Sequence, residues 1–237
     1  AQPFRGGIPG INLSGYFADR NTSKKSIALN LKVDSARALA RELIMRSDVV
    51  ANNFAPGTME KFGLGYADLK AEKPELVYLA MSMQGQDGPE RDSMGYGLTI
   101  AALTGLQYLT GLPGRVPAGT GTNYPDHIPN PTHAAFATLA ALRHARRTGQ
   151  GQMVEIAQTE PVIAMLGPTV ADASVNGADP GPVGNRSAVA APQGVYPCAG
   201  TDRWIAICVR DDIDWQNLVE VLGGRDLDEM RGAPFEQ

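Results

Sequence analysis

Apolar residues recur along this chain with two periods, one suited to helices and one to short buried strands. Ala36, Leu39, Ala40, Leu43 and Ile44 fall on one helical face, with Arg37, Arg41 and Glu42 off it, and predict a helix over 34–47. Residues 26–31 before it read as a strand, and 48–51 after it as a short buried strand. A short helix over 66–73 stops before Pro74, and 75–81 is again strand-like. Longer helices are expected over 94–110 and 130–147. The second takes Asn130 as its N-cap and Pro131 as its first helical residue, and ends in Arg143, Arg146 and Arg147 before Gly149. Residues 152–157 return as a strand and 159–173 as a helix.

Alternating strands and helices predict an α/β protein, a Rossmann-like parallel sheet with flanking helices. Residues 176–190 are dense in Gly, Pro and polar side chains and read as a linker or functional loop. Beyond them, 194–198 and 203–209 suggest two strands and 212–222 a helix, the beginning of a second, smaller α/β domain. The expected division is therefore 1–175 as the larger domain, 176–190 as the connection and 191–237 as the start of the smaller one.

Charge and motifs narrow the chemistry. A formal charge of -4, with Lys and Arg scattered, leaves no footprint for nucleic acid. The longest apolar stretch, 161–171, is broken by Gly167 and Pro168 and is too short for a bilayer, so a soluble protein is expected, and the two cysteines, with no disulfide framework, point to a cytoplasmic one. Cys198 and Cys208 read as reduced core thiols. His127, His133 and His144 lack metal-ligand spacing, and no metal site is expected. Gly119-Thr120-Gly121 lacks the third glycine and the flanking elements of a dinucleotide site. The start, Ala1-Gln2-Pro3, has no initiator methionine and reads as an opening inside a longer protein.

Asp126 stands out in the run Asn123-Tyr124-Pro125-Asp126-His127-Ile128. Asn130 takes the capping post of the helix that follows, so local chemistry does not need a carboxylate at 126. Three readings stay open on local sequence: a turn aspartate, the cap of a helix that starts earlier, or a group free for chemistry.

The chain is similar to the family III CoA-transferases, which include formyl-CoA and carnitine CoA-transferases and, on a sister branch, α-methylacyl-CoA racemase. The resemblance spans about 15–223 and rests on Ser23-Lys24-Lys25-Ser26-Ile27-Ala28-Leu29-Asn30-Leu31-Lys32, Asn53-Phe54-Ala55-Pro56-Gly57 and Gly85-Gln86-Asp87-Gly88-Pro89. Further matches are Gly95-Tyr96, Asp126, the run Thr148-Gly149-Gln150-Gly151-Gln152 and Pro192-Gln193-Gly194-Val195-Tyr196. The resemblance implies that Asp126 is a nucleophile carrying CoA as an aspartyl thioester between an acyl-CoA and a carboxylic acid. It implies contacts to the adenine and phosphate end of CoA from Leu29, Lys32 and Lys61, to the pantetheine from Asn53 and Phe54, and a place near the thioester for Tyr96. It further implies no prosthetic group, coenzyme A as substrate, and an interlocked homodimer.

The pattern also departs from the family. Met94 stands where formyl-CoA transferase has a lysine, and Gly177, Gly181 and Gly184 do not form that enzyme's glycine run, which points away from formate and oxalate. The family's first strand and helix would lie before Ala1. A racemase would need a histidine between the Gly-Gln-Asp-Gly-Pro motif and Tyr96, and residues 90–96 contain none. A non-catalytic subunit keeping the fold is the remaining alternative.

Overall fold

A central strand buried on both faces organises the larger part of the chain. The computed structural model describes residues 3–223 of 237. In chain order its elements are α1 (Gly15–Arg20), α2 (Asp34–Met45), β1 (Val49–Asn52), α3 (Thr58–Lys61), α4 (Tyr66–Lys70), β2 (Val77–Ala80), α5 (Gly97–Leu103) and α6 (Tyr124–His127). They continue with α7 (Pro129–Thr148), β3 (Met153–Glu155), α8 (Thr159–Met165), α9 (Gly167–Asn176), β4 (Gln193–Pro197), β5 (Trp204–Cys208) and α10 (Asp212–Leu222).

β1, β2 and β3 form a parallel three-stranded sheet in that order, with Val49 opposite Val77 and Tyr78 opposite Met153. Every residue of β2 is buried, as a parallel strand covered by helices on both sides requires. Tyr78 and Ala80 point to one face, where Leu64, Leu69 and Leu76 meet Ala40, Ile44 and Met45 of α2. Val77 and Leu79 point to the other, against Ala134, Ala141 and Ala145 of α7. Small residues on α7 let that helix lie close to the sheet. The protein is thus a mixed α/β fold with helices on both faces of a parallel sheet.

Gly151 sets how closely β2 and β3 come together. A Cβ at this glycine would sit 2.0 Å from the Leu76 carbonyl oxygen, while its N–H donates to Pro74 O at 2.8 Å. The Gly149-Gln150-Gly151-Gln152 run therefore has two structural duties: Gly149 ends α7 at φ 72°, and Gly151 admits the neighbouring backbone.

Several sequence expectations are corrected. Residues 26–31 form no strand: they pair with no other strand among the described residues, and without ladder partners extended chain is not a sheet. The α2 face is rotated from the expected one, because Met45 joins Ala40 and Ile44 in the core while Leu39 and Leu43 stay exposed. The helix expected over 94–110 shrinks to α5, since Tyr96 is extended and Gly105 takes φ 82°. The helix over 159–173 breaks at Leu166, where Pro168, which has no N–H, sits in the first turn of α9.

The first helical residue of α7 is Pro129, two positions before the expected Pro131, so Asn130 lies inside the helix, is buried and caps nothing. Cys198 and Cys208 are exposed and unpaired, not core thiols, because β4 and β5 form an antiparallel ribbon that is mostly open to its surroundings. The two strands of this segment lie within one residue of the expected bounds and the helix over 212–222 is found as expected, while 224–237 lie outside the described residues.

Candidate active site

Parallel strands end together, and ligands of such sheets bind in the crevice beyond their carboxyl ends. Asn53 follows β1, Met81 follows β2 and Gln158 lies just past β3; all three line a cavity of about 480 Å³. The remaining wall comes from Gly95, Tyr96, Asp126, Asn130, Pro131 and Ala134. Asp126 is the one carboxylate among the described residues lining it.

α6 holds Asp126 at the edge of this crevice, half-buried. It is neither an N-cap nor a free turn residue: it sits inside a short helix whose flanking Asn123 makes no side-chain cap. Its Oδ2 accepts the backbone N–H of Gly97 at 2.9 Å, and no hydrogen bond to Oδ1 is found among the described residues. The donor belongs to a segment 29 residues earlier in the chain. This contact depends on glycine, because a Cβ at 97 would lie 2.7 Å from Asp126 Oδ2 and 2.6 Å from Asn123 Cβ.

Asn130 and Gln158 close the floor. Gln158 Nε2 donates to Met81 O at 2.8 Å, which turns its Oε1 towards Asn130 Nδ2 at 3.4 Å. Asn130 is 2% exposed, and its Oδ1 is buried without a partner among the described residues. Local sequence gave no hint of Asn130's inward position. Gln158 could have been found from its place just past a parallel strand.

The family-implied residues divide into two groups. Asn53 and Tyr96 line the cavity with Asp126. Phe54 joins Asn53 in a smaller cavity of about 170 Å³ that shares Asn53, Gly95 and Gln158 with the first, so the two form one continuous cleft. Met94 lines this second part. Leu29, Lys32 and Lys61 line neither cavity; Lys32 and Lys61 are exposed, the latter ending α3. The Gly-Gln-Asp-Gly-Pro loop is held separately: Gln86 N–H donates to the Glu155 carboxylate, and Gln86 Nε2 to Ser82 Oγ.

His127 faces away from this cleft. It lines a second cavity with Tyr16, Thr122 and Gln107. Its Nε2 lies 3.0 Å from the Tyr16 hydroxyl and its Nδ1 3.2 Å from Thr122 Oγ1. Consecutive side chains thus serve opposite sides of α6. Among the described residues no group of three or more His, Cys, Asp or Glu could hold a metal ion, and no helix is long and apolar enough to cross a membrane.

Comparison with known proteins fits this geometry. Residues 3–234 match the CoA-transferase family III. The chain is 35% identical over 205 residues to the succinyl-CoA–D-citramalate CoA-transferase of Chloroflexus aurantiacus, covering 86% of this chain and 50% of that protein. It is 33% identical to the succinate–glutarate CoA-transferase of Agrobacterium fabrum, covering 98% and 58%. A CAIB/BAIF family protein from Brucella suis has a crystal structure that superposes with a TM-score of 0.84 at 30% identity, covering 92% of this chain and 57% of the other. The chain thus spans about half the length of the relatives it matches. With that match along nearly its whole length, the chain belongs to the CoA-transferase family III.

Proposed function

We propose that the full-length protein moves CoA from an acyl-CoA donor to a carboxylic acid through a covalent intermediate on Asp126. The observation that carries this reading is the Asp126 carboxylate, alone among the described residues lining the cleft, with Oδ2 held by Gly97 and no hydrogen bond to Oδ1 among those residues. Oδ1 attacks the donor's thioester carbonyl and expels CoA thiolate, leaving a mixed anhydride. The thiolate then attacks Asp126 Cγ, forming an aspartyl-CoA thioester and releasing the donor acid. The acceptor acid attacks Cγ in turn and expels thiolate, which takes the new acyl group and frees Asp126. Splitting a hard exchange into four acyl transfers is the gain of covalent catalysis.

The cleft suits a long thiol ending at a carboxylate. Pantetheine entering by Phe54 and Asn53 reaches the Asp126 cavity through the stretch the two cavities share. Tyr96 then stands beside the thioester. Leu29, Lys32 and Lys61 are assigned to the distant adenine and phosphate end, where exposed lysines serve as point charges. The similarity to transferases named for D-citramalate and glutarate supports a dicarboxylic acid as acceptor. A homodimer completes the reading, supported by exposed Phe136 and Leu139 on α7.

Racemisation fits less well. It needs a second acid/base group across the substrate from Asp126, residues 90–96 have no histidine, and His127 serves the opposite cavity. The test is acyl exchange by full-length protein with succinyl-CoA and a panel of acids, read by mass spectrometry, with hydroxylamine trapping at Asp126. Near-normal exchange by Asp126→Ala overturns the nucleophile. Fast deuterium wash-in at C2 of a 2-methylacyl-CoA without exchange installs the racemase, and neither activity points to a non-catalytic subunit.

A further inference from the structure

The contact between Gly97 and Asp126 has a chemical meaning that depends on which carbonyl is under attack. This inference rests on Asp126 being the covalent carrier. In the first and last of the four transfers the tetrahedral centre forms on the substrate's acyl carbon. In the middle two it forms on Asp126 Cγ itself. Thiolate attack on the anhydride breaks the bond from Cγ to Oδ1, which departs with the donor acid. Attack by the acceptor acid breaks the bond from Cγ to sulfur. In both, the carbonyl π electrons move onto Oδ2 as the nucleophile adds and return as the leaving group departs.

We propose that the Gly97 N–H is the oxyanion donor for these two middle steps. It already lies 2.9 Å from Oδ2, within the range a catalytic donor needs at a developing oxyanion. The carboxylate shares its charge between two oxygens, whereas each tetrahedral intermediate concentrates a full charge on Oδ2. The same hydrogen bond is therefore stronger in the intermediate than in the resting enzyme, which is the condition for accelerating a step. Gly97 is buried, so water competes poorly for this N–H. The packing is specific to this geometry: Asn123 Cβ and Asp126 Oδ2 fill the space that a side chain at 97 would occupy.

The assignment separates the steps. Replacing the peptide bond between Tyr96 and Gly97 with an ester in the full-length protein deletes the donor while adding no bulk. With succinyl-CoA, rapid-quench mass spectrometry should show the Asp126–CoA adduct forming about 100-fold more slowly. The first burst of free CoA thiolate, read with a thiol reagent, should hold its unmodified rate. If adduct and burst slow together, the N–H only aligns the nucleophile, and the proposal is overturned. Equal adduct rates in both proteins overturn it as well.

A second measurement needs no variant. Unmodified enzyme carrying 13C-labelled aspartate and trapped as the thioester should show its carbonyl infrared band at lower frequency than a free thioester, as a hydrogen-bonded carbonyl does. A band at the free position refutes the donor role even if the ester protein fails to fold. Complete lack of an Asp126 adduct in unmodified protein is a different result, because it removes the covalent reading on which the donor role stands.

Discussion

Gln158 Nε2 donates to the Met81 carbonyl at 2.8 Å, and this bond fixes the amide polarity of the whole cleft floor. A backbone carbonyl only accepts, so Gln158 must offer Oε1 to its other neighbour, and Asn130 must answer with Nδ2. One short bond after β2 thereby orients a side chain on α7.

Replacing that link should be costly to the fold. Gln158→Leu leaves the buried Asn130 amide without its partner, and a loss of about 1–3 kcal/mol in urea unfolding is expected. An unchanged midpoint would mean that the 3.4 Å contact contributes nothing.

The amount of this site that was legible in sequence follows from the range of the forces involved. α10 and the β4–β5 ribbon were readable because their patterns are local, and β2 because a strand buried on both faces is uniformly apolar. Asp126 was conspicuous because local capping did not need it. Gly97 was invisible as its partner, since a backbone N–H has no sequence signature and the two residues are 29 apart. The burial of Asn130 was missed because two prolines, Pro129 and Pro131, competed for one helical position. Cys198 and Cys208 misled because apolar alternation in β4 and β5 does not reveal what covers a ribbon.

Gly151→Ala should weaken the sheet. The added methyl would meet the Leu76 carbonyl oxygen at 2.0 Å and its carbon at 2.4 Å, and backbone cannot rotate away as a flexible side chain can. A destabilisation of about 3 kcal/mol is expected from chemical denaturation. A change below the error of the measurement would show that β3 can slide away from β2 freely.

Tyr78 predicts a pH effect with a definite sign. Burial, with the Glu60 charge adding to it, pushes its phenol up to about 12. An unfolded tyrosine titrates near about 10. Between those values the unfolded chain gives up the proton that the folded chain keeps, so this contribution is full below pH 10 and is lost as pH rises through 12. Tyr78→Phe loses the bonds to Asn52 Nδ2 at 3.2 Å and Leu64 O at 3.4 Å, about 1–2 kcal/mol near pH 7. The stability gap between wild type and variant should narrow from pH 10 to 12; a constant gap would contradict the raised value.

Asp126→Asn separates folding from chemistry. The amide oxygen still accepts from Gly97, so stability should stay within about 0.5 kcal/mol of wild type. CoA exchange by the full-length protein should fall about a thousandfold or more, since an amide cannot form the anhydride. A large drop in melting temperature would instead mark Asp126 as part of the scaffold.

The grip on Asp126 comes from main chain, and this shapes how the protein can change over generations. Apart from proline, any amino acid at position 97 would bring the same N–H, yet each would also bring a carbon into space already filled by Asn123 and Asp126. Inheritance can therefore hardly erase the donor but can easily crowd it, which leaves drift little room at this glycine.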